Sequence, residues 1–181
     1  NYFFENDITD PLNHYAKTKN KSEKLIKKNL SNYLIIRTNF FGWGTKYRKS
    51  FSDKIIENLR KKKIVRLFDD VYFNPVNVNF LSSVITDLIL KNFKGTFNVS
   101  SNLSISKYKF GLLLSKEFNL DKYLIKPIRL ADIKITKRPN YMSLSNNKLI
   151  KTLKISLNEL SISKQIKNLK KTKDKKLRLL K

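Results

Sequence analysis

The chain has 181 residues, 40% hydrophobic and 12% aromatic, which is enough apolar side chain for one folded domain and too much for a disordered one. With no cysteine and a single histidine, His14, it has no disulfide, thiolate or histidine-cluster chemistry, and a metal enzyme is not expected. The net charge of +25 would suit nucleic acid or anionic lipid, but 32 of the 39 cations are lysines spread over the whole chain in a Lys-, Asn-, Ile-, Leu- and Phe-rich composition, as AT-biased codons would produce, so no specific nucleic-acid partner is expected.

In chain order, an acidic opening loop gives way to a helix over 11–30, with Asp10 as N-cap and Pro11 in its first position. "NYLIIRTN" (32–39) reads as a buried strand and "FFGWGTKYRKS" as a loop holding two of the four glycines. "FSDKIIENLRKKK" places Phe51, Ile55, Ile56 and Leu59 at helical spacing. A short strand, "IVRLF", and a proline loop, "DDVYFNPVN", follow. "FLSSVITDLILKNF" is an apolar helix that Gly95 is expected to end. "TFNVSS" is a further strand, and "SISKYKFGLLLSKEFNL" a serine-capped helix. "YLIKPIRLADIKIT" reads as extended and irregular, and "SLSNNKLIKTLKI" as a short helix. The last stretch begins as a helix and becomes a basic tail, with nine positive charges and one negative from Lys164 onward.

Alternation of helices and strands points to an α/β architecture. Only three or four strands are visible, fewer than a doubly wound sheet needs. The chain also opens on Asn1, inside a loop, so an N-terminal portion is expected to precede it. "NYFFENDITD" is acidic where a secretory leader would be basic, and no apolar run approaches the roughly 20 residues that span a bilayer. A cytoplasmic protein without a membrane partner is the expectation.

The chemistry centres on "DPLNHYAKTKNKSEK" (10–24), where Tyr15 and Lys19 stand at i and i+4 on one helix face. A neighbouring ammonium favours the phenolate. Such a tyrosine can hand a proton to a carbonyl oxygen while hydride reaches the carbon, and the lysine can hold a cofactor ribose. In a chain this rich in lysine the spacing arises by chance about once, so the bare pair decides nothing.

Context decides more. "YFFENDITDPLNHYAKTKNKSEKLI" is similar to the acidic loop, Pro-Leu-Asn step, Tyr-x-x-x-Lys helix and following Glu of the extended short-chain dehydrogenase/reductases. More narrowly, it resembles the dTDP-4-dehydrorhamnose reductase family. "YLIIRTNFFGWG", "FDDVYFNPVNVNFLSSVI", "GTFNVSSNLSISKYKFGLLLSKEFNL" and "KRPNYMSLSNNKLIKTL" resemble later blocks of that family, in its order, so that the likeness covers residues 2 to 153. The resemblance implies the C-terminal part of an NAD(P)-binding, Rossmann-like doubly wound fold with a smaller mixed substrate-binding domain. Residues 1–40 would finish the cofactor domain, and 41–160 would mainly bind substrate, with 79–101 returning to the cofactor fold; 161–181 would be a basic tail.

Under the resemblance, Tyr15 is the general acid and Lys19 the ribose partner, both touching NAD(P)H. Asn39 would lie at cofactor and substrate, and Phe41, Trp43 and Arg138 would contact a nucleotide-sugar substrate, Arg138 through its diphosphate. The implied reaction is reduction of a nucleotide-linked 4-keto sugar by an NAD(P)H-dependent oxidoreductase, with a homodimer among the states allowed. A nucleotide-sugar epimerase or dehydratase and a non-catalytic binding protein of the same fold are the alternatives. Gly42, Gly44, Gly95 and Gly111 never form the glycine fingerprint that cradles a dinucleotide pyrophosphate, and the Ser/Thr of the catalytic trio would precede Asn1, so this chain is not expected to turn over alone. Phe80 stands where the family commonly has an acidic residue. For His14 a surface role is expected, and for Asp69 and Asp70 a turn.

Overall fold

The structure, a computed structural model, describes residues 2–45 and 47–178, with side chains through residue 172. Helix α1 spans His14–Asn29 and leads into strand β1, Leu34–Thr38, and the two-residue β2, Phe40–Phe41. Helix α2, Phe51–Arg60, precedes β3, Val65–Phe68, then β4, Tyr72–Phe73, and β5, Val76–Asn77. Helix α3, Val78–Leu90, leads to β6, Gly95–Val99, and β7, Ile105–Ser106, before α4, Lys107–Glu117. Strand β8, Ile125–Ile128, and helices α5, Asn147–Leu153, and α6, Ile162–Arg178, complete the order.

The strands pair as four two-stranded units: β1 with β6, β2 with β5 and β3 with β8 in parallel, and β4 with β7 antiparallel. The three strands expected at 32–39, 64–68 and 96–101 are present. The extended stretch at 123–136 contributes β8. The two-residue pairings went unpredicted, because two residues carry no periodicity.

The first helix starts later than its sequence suggests. Asn13, not Asp10, is the N-cap, its Oδ1 accepting from the Ala16 N–H at 2.9 Å. Its Nδ2 donates to the Lys137 carbonyl at 3.1 Å, so one asparagine both caps α1 and ties its start to a distant segment. Gly95 does not end α3. That helix stops at Leu90, Asn92 takes the left-handed turn at φ 54°, and Phe93 N–H returns to the Leu88 carbonyl. Helices α2 and α4 close in the same way, with Lys62 and Asn119 at positive φ and Lys63 and Leu120 reaching back to Asn58 and Ser115. Gly95, at φ 97°, instead opens β6.

Two apolar cores result. The larger gathers Ile55, Ile56 and Leu59 of α2, Val65 and Leu67 of β3, Phe110 and Leu114 of α4, and Ile162, Ile166 and Leu169 of α6. Phe110 sits at its centre, with the rings of Phe41, Phe51 and Phe73 at 5.1, 6.0 and 5.5 Å. The smaller joins Leu81, Val84 and Leu88 of α3 to Phe97 and Val99 of β6 and Leu149 of α5. Residues 161–172, expected as part of a solvated basic tail, are thus a core element; their lysines lie on the outer face while the apolar residues recur at i, i+4 and i+7. Gln165, 1% exposed, accepts from Asn77 N–H at 2.6 Å and donates to the Glu159 carbonyl at 3.1 Å, linking α6 to β5. No helix among the described residues is long and apolar enough to cross a membrane.

A third assembly is polar. Segment 139–146 belongs to no long strand, yet it carries the buried Ser143 and Ser145. Asn74, fully buried, accepts from Leu144 N–H at 2.9 Å and donates to the Leu144 carbonyl at 2.7 Å and the Ser101 carbonyl at 3.1 Å. Ser100 Oγ donates to Leu144 O, Asn39 Nδ2 to Met142 O, and Asn146 Nδ2 to Ser100 O. Phe3 N–H donates to Ser143 O, and Ser145 N–H to Phe3 O, so the opening loop pairs with the same segment. Every one of these bonds replaces water that burial removes.

Replacing Asn74 with Ala leaves the Leu144 N–H without its acceptor and takes one of two donors from each of the Leu144 and Ser101 carbonyls. The expected loss is about 2–4 kcal/mol, read as a lower urea midpoint with unchanged slope. A second expectation concerns the turn before α6. The Glu159 carboxylate accepts from Ser156 N–H at 3.0 Å and its hydroxyl at 2.9 Å, bonds that hold its pKa below the ordinary glutamate value, the backbone bond contributing most. Because the folded value is depressed, the stabilisation is present above the unfolded pKa and disappears as pH falls through the folded one. In an NMR titration, Ser156→Ala moves the Glu159 carboxyl midpoint upward towards ordinary glutamate.

Candidate active site

Tyr15 and Lys19 occupy the first two turns of α1, and the Lys19 ammonium lies 5.8 Å from the centroid of the Tyr15 ring. Tyr15 is 71% exposed. It lines a cavity of about 560 Å³ with His14, Phe68, Lys107, Arg138 and Met142. The groups arrive from α1, β3, α4 and the segment that follows β8. Asn13 fixes the start of α1 against Lys137, the residue before Arg138. Ser106 caps α4 through Lys109 N–H at 3.1 Å, which makes Lys107 the first helical residue. Its own N–H donates to the Val71 carbonyl at 3.0 Å. Met142 is held by Asn39 at 3.0 Å.

Lys107 was not singled out by its sequence. It is half-buried, and its ammonium stands 5.5 Å from the Phe51 ring centroid. Burial, and after it the Arg138 guanidinium, holds its pKa below the ordinary lysine value. The available signal was its place after the Ser-Ile-Ser run. A cation in a first helical turn opposes the helix dipole and needs a reason.

A second cavity, about 770 Å³, shares Arg138 and Pro139 with the first. Tyr72 and Tyr141 lie along it, stacked at 5.6 Å and 9°. Asp69, Asp70 and Arg129 line it as well. The Asp70 carboxylate accepts from Leu130 N–H at 3.1 and 3.0 Å, a turn role. His14 is exposed.

The remaining expected site residues lie elsewhere. Phe41, 2% exposed, packs edge-on to Phe110 in the larger core, which leaves it no surface for a substrate. The Trp43 indole N–H donates to the Leu169 carbonyl at 2.9 Å and its ring meets Phe118 at 5.8 Å, so it anchors α6 to α4. Neither lines the Tyr15 cavity. Asn39 does not line it either, and acts on it through Met142. Of the expected set, Tyr15 and Arg138 share the cavity, and Lys19 stands over the Tyr15 ring on the same helix.

Behind the site, Arg37 of β1 clasps Glu23 of α1, with Nη2–Oε2 at 2.7 Å and Nε–Oε1 at 3.0 Å, and donates to the Glu5 carbonyl at 3.2 Å. The bond to Glu23 raises the arginine pKa further. Glu5 Oε1 accepts from Asn98 N–H at 3.0 Å, and Asn98 Nδ2 donates to the Phe3 carbonyl at 3.0 Å. The helix bearing Tyr15, the opening loop and the ends of β1 and β6 are therefore one hydrogen-bonded unit.

A tyrosine–lysine helix tied to a parallel strand through Arg37 and Glu23, beside a cavity lined by two cations, is the arrangement that the ordered sequence blocks imply. Residues 1–170 match the family described as the RmlD substrate binding domain. The chain belongs to that family. Among solved structures it is similar to the dTDP-4-dehydrorhamnose reductase of Clostridium acetobutylicum, with a TM-score of 0.85 and 22% identity over 96% of this chain and 60% of that one. It is also similar to the Bacillus anthracis dTDP-4-dehydrorhamnose reductase solved in complex with NADP, with a TM-score of 0.82 and 24% identity over 93% and 58%. These likenesses show an α/β, Rossmann-like fold. Among curated proteins, the rat methionine adenosyltransferase 2 subunit beta is 27% identical over 165 residues, 81% of this chain and 46% of the relative. The bovine protein of the same name is 26% identical over 163 residues. The chain spans about half the length of the curated relatives it matches.

Arg37→Met removes the clasp and leaves the Glu23 carboxylate unpaired. Amide hydrogen exchange at Phe4 and Asp7 is expected to accelerate more than tenfold, while exchange in α4 stays unchanged.

Proposed function

We propose that this chain carries the proton-donating pair and the substrate-binding part of an NAD(P)H-dependent reductase acting on a nucleotide-linked 4-keto sugar. The observation that carries the reading is Tyr15, under the Lys19 ammonium, at the wall of the cavity that also presents Arg138. The Tyr15 hydroxyl donates its proton to the carbonyl oxygen of the sugar. The Lys19 ammonium stabilises the phenolate left behind and hydrogen-bonds a cofactor ribose. Arg138 pairs with the diphosphate of the substrate.

A bound nicotinamide supplies the hydride. The residues present fit only that end of a dinucleotide. The four glycines serve other purposes: at Gly42 and Gly111 a Cβ would strike Val78 and Leu67, Gly44 lies against the Arg48 carbonyl and the Asp53 carboxylate, and Gly95 opens β6. None sits in a glycine-rich turn before a helix, so a pyrophosphate cradle is not among the described residues. With Tyr15 71% exposed, water leaves the reacting atoms only when cofactor and substrate cover the phenol.

A second reading is a non-catalytic subunit of this fold, favoured by the curated relatives, whose names make them subunits of a methionine adenosyltransferase. Redox-neutral epimerase or dehydratase chemistry would use the same pair without net cofactor consumption. The test supplies the cofactor-binding half of a family member on the same polypeptide and follows NAD(P)H oxidation with a dTDP-linked 4-keto sugar. Tyr15→Phe is expected to lower kcat by a factor of about 10²–10⁴ with cofactor affinity kept. Equal rates in the two proteins would remove Tyr15 as the acid. Absence of any turnover alongside retained ligand binding would favour the subunit.

A further inference from the structure

We propose that the outer face of α6 is a docking surface for the phosphate backbone of a nucleic-acid strand, held by a row of lysines without regard to base sequence. The proposal goes beyond the reductase reading and does not depend on it.

The argument begins with the two faces of one helix. Ile162, Ile166 and Leu169 are 4%, 1% and 1% exposed and belong to the larger core. Lys164, Lys167 and Lys171 are exposed and recur at i, i+3 and i+7, which puts them on the opposite face. The helix runs to Arg178, and its sequence keeps that spacing with Lys175 and Arg178. Five cations therefore fall within about a quarter turn, in a row roughly 20 Å long. Over Ile162–Arg178 the sequence carries eight cations and one acid, Asp174. The whole chain carries 39 and 14, so charge is concentrated on this helix beyond its general spread.

Beside the row lies a groove of about 540 Å³ between α4 and α6, where Lys116 of α4 joins Lys164 and Lys167. Glu117, the acid of that groove, lies 3.9 Å from the Lys170 ammonium. The ion pairs among the described residues include none of Lys116, Lys164, Lys167 and Lys171.

The chemistry of this face selects its partner. A membrane-surface helix inserts an apolar face, and in α6 that face is consumed by the core. A protein partner docks on aromatic or aliphatic anchors. The exposed residues of α6, among those whose side chains are described, are Ser163, Lys164, Lys167, Asn168 and Lys171, and none is such an anchor. What the face offers is positive charge in a line, complementary to negative charge in a line. Lysine meets phosphate as a point charge, without the planar fork that reads a base edge, so no base preference follows. Each contact releases counterions, which fixes the salt dependence.

The experiment follows the fluorescence anisotropy of a labelled oligodeoxythymidylate, about 20 nucleotides long so that it exceeds a usual single-strand site, at a series of salt concentrations. The affinity is expected to fall with salt at a log–log slope of about −0.7 per phosphate contact. The triple variant Lys164→Gln, Lys167→Gln, Lys171→Gln should weaken binding at low salt at least about tenfold and make the slope shallower by about 2. The matching triple to Arg should keep both. A control triple removes equal charge from exposed lysines of other elements, Lys54→Gln, Lys91→Gln and Lys126→Gln, and should change the affinity less than about threefold with the slope kept. An oligodeoxycytidylate of the same length should bind equally. Unchanged affinity in the α6 triple overturns the proposal. So does an equal loss in the control triple, which would assign binding to the diffuse charge of the molecule. Tighter binding of polyglutamate than of the oligonucleotide would overturn it in favour of an acidic protein. Binding to phosphatidylserine vesicles that depends on the three lysines, without oligonucleotide binding, would overturn it in favour of a membrane surface.

Discussion

The amide of Asn74 closes both hydrogen bonds of Leu144, as a backbone partner in a strand would. That exchange is the constraint on which the site depends. Segment 139–146 has no long ladder of its own, so its backbone groups are satisfied piecemeal, by the backbone of Phe3 and Tyr72 and by the side chains of Asn74, Ser100 and Asn39. A segment held this way is as fixed as a strand but free to bend. It enters past Arg138 and Pro139 at the cavities and leaves into α5 beneath β6. The opening loop pairs with it at Phe3, and through Glu5 and Arg37 the helix carrying Tyr15 is referred to the same frame. Tyr15 and Arg138 sit on segments far apart in the chain and yet share one cavity, because both are tied to this polar seam and to each other through Asn13 and Lys137.

The two apolar cores supply the stability on which that seam rests. Fully satisfied, a polar network adds specificity to a position; with one member missing it becomes a liability, because the freed groups are already cut off from water. The seam is therefore flanked by elements that bury large side chains. Phe110 brings α4, and with it Lys107, against β3 and α2, while Gln165 fixes α6 to β5 by two hydrogen bonds with Asn77 and to the preceding turn by one to the Glu159 carbonyl. The site is built at the meeting point of helix starts and strand ends, where side chains from separate elements converge without a single element having to supply them.

Much of this was legible in the sequence, and the parts that were not share physical causes. The main helices and the three longer strands announce themselves by apolar periodicity. The Tyr15–Lys19 pair is visible because i and i+4 share a face whatever surrounds the helix. The start of α1 was misplaced because Asp10 and Asn13 are both good caps; the choice fell to Asn13, whose second amide atom also reaches Lys137, a contact no local pattern encodes. Phe41 and Trp43 follow a strand end, where ligands often sit, but aromatic residues there can fill a core equally well, and in this chain α4 and α6 provide the core. The sequence 161–172 reads as charged because its lysines outnumber its apolar residues, although three well-spaced apolar residues suffice to bury a helix face. Lys107 was hidden among 31 other lysines, because its burial against Phe51 is a property of the fold.

That last distinction bears on the charge of the whole molecule. A net +25 spread over exposed lysines attracts any polyanion weakly and without geometry, and its effect fades with salt. A half-buried cation facing another cation differs in kind. It is the place where the local preference of the sequence and the demands of the fold disagree, and such disagreements collect at functional sites because something other than folding maintains them. The same logic applies to the exposed phenol of Tyr15. A tyrosine kept only for stability would gain from burying its ring, as Phe41 and Phe110 do. Tyr15 instead stays open at the cavity wall, its ring beside the Lys19 ammonium at 5.8 Å.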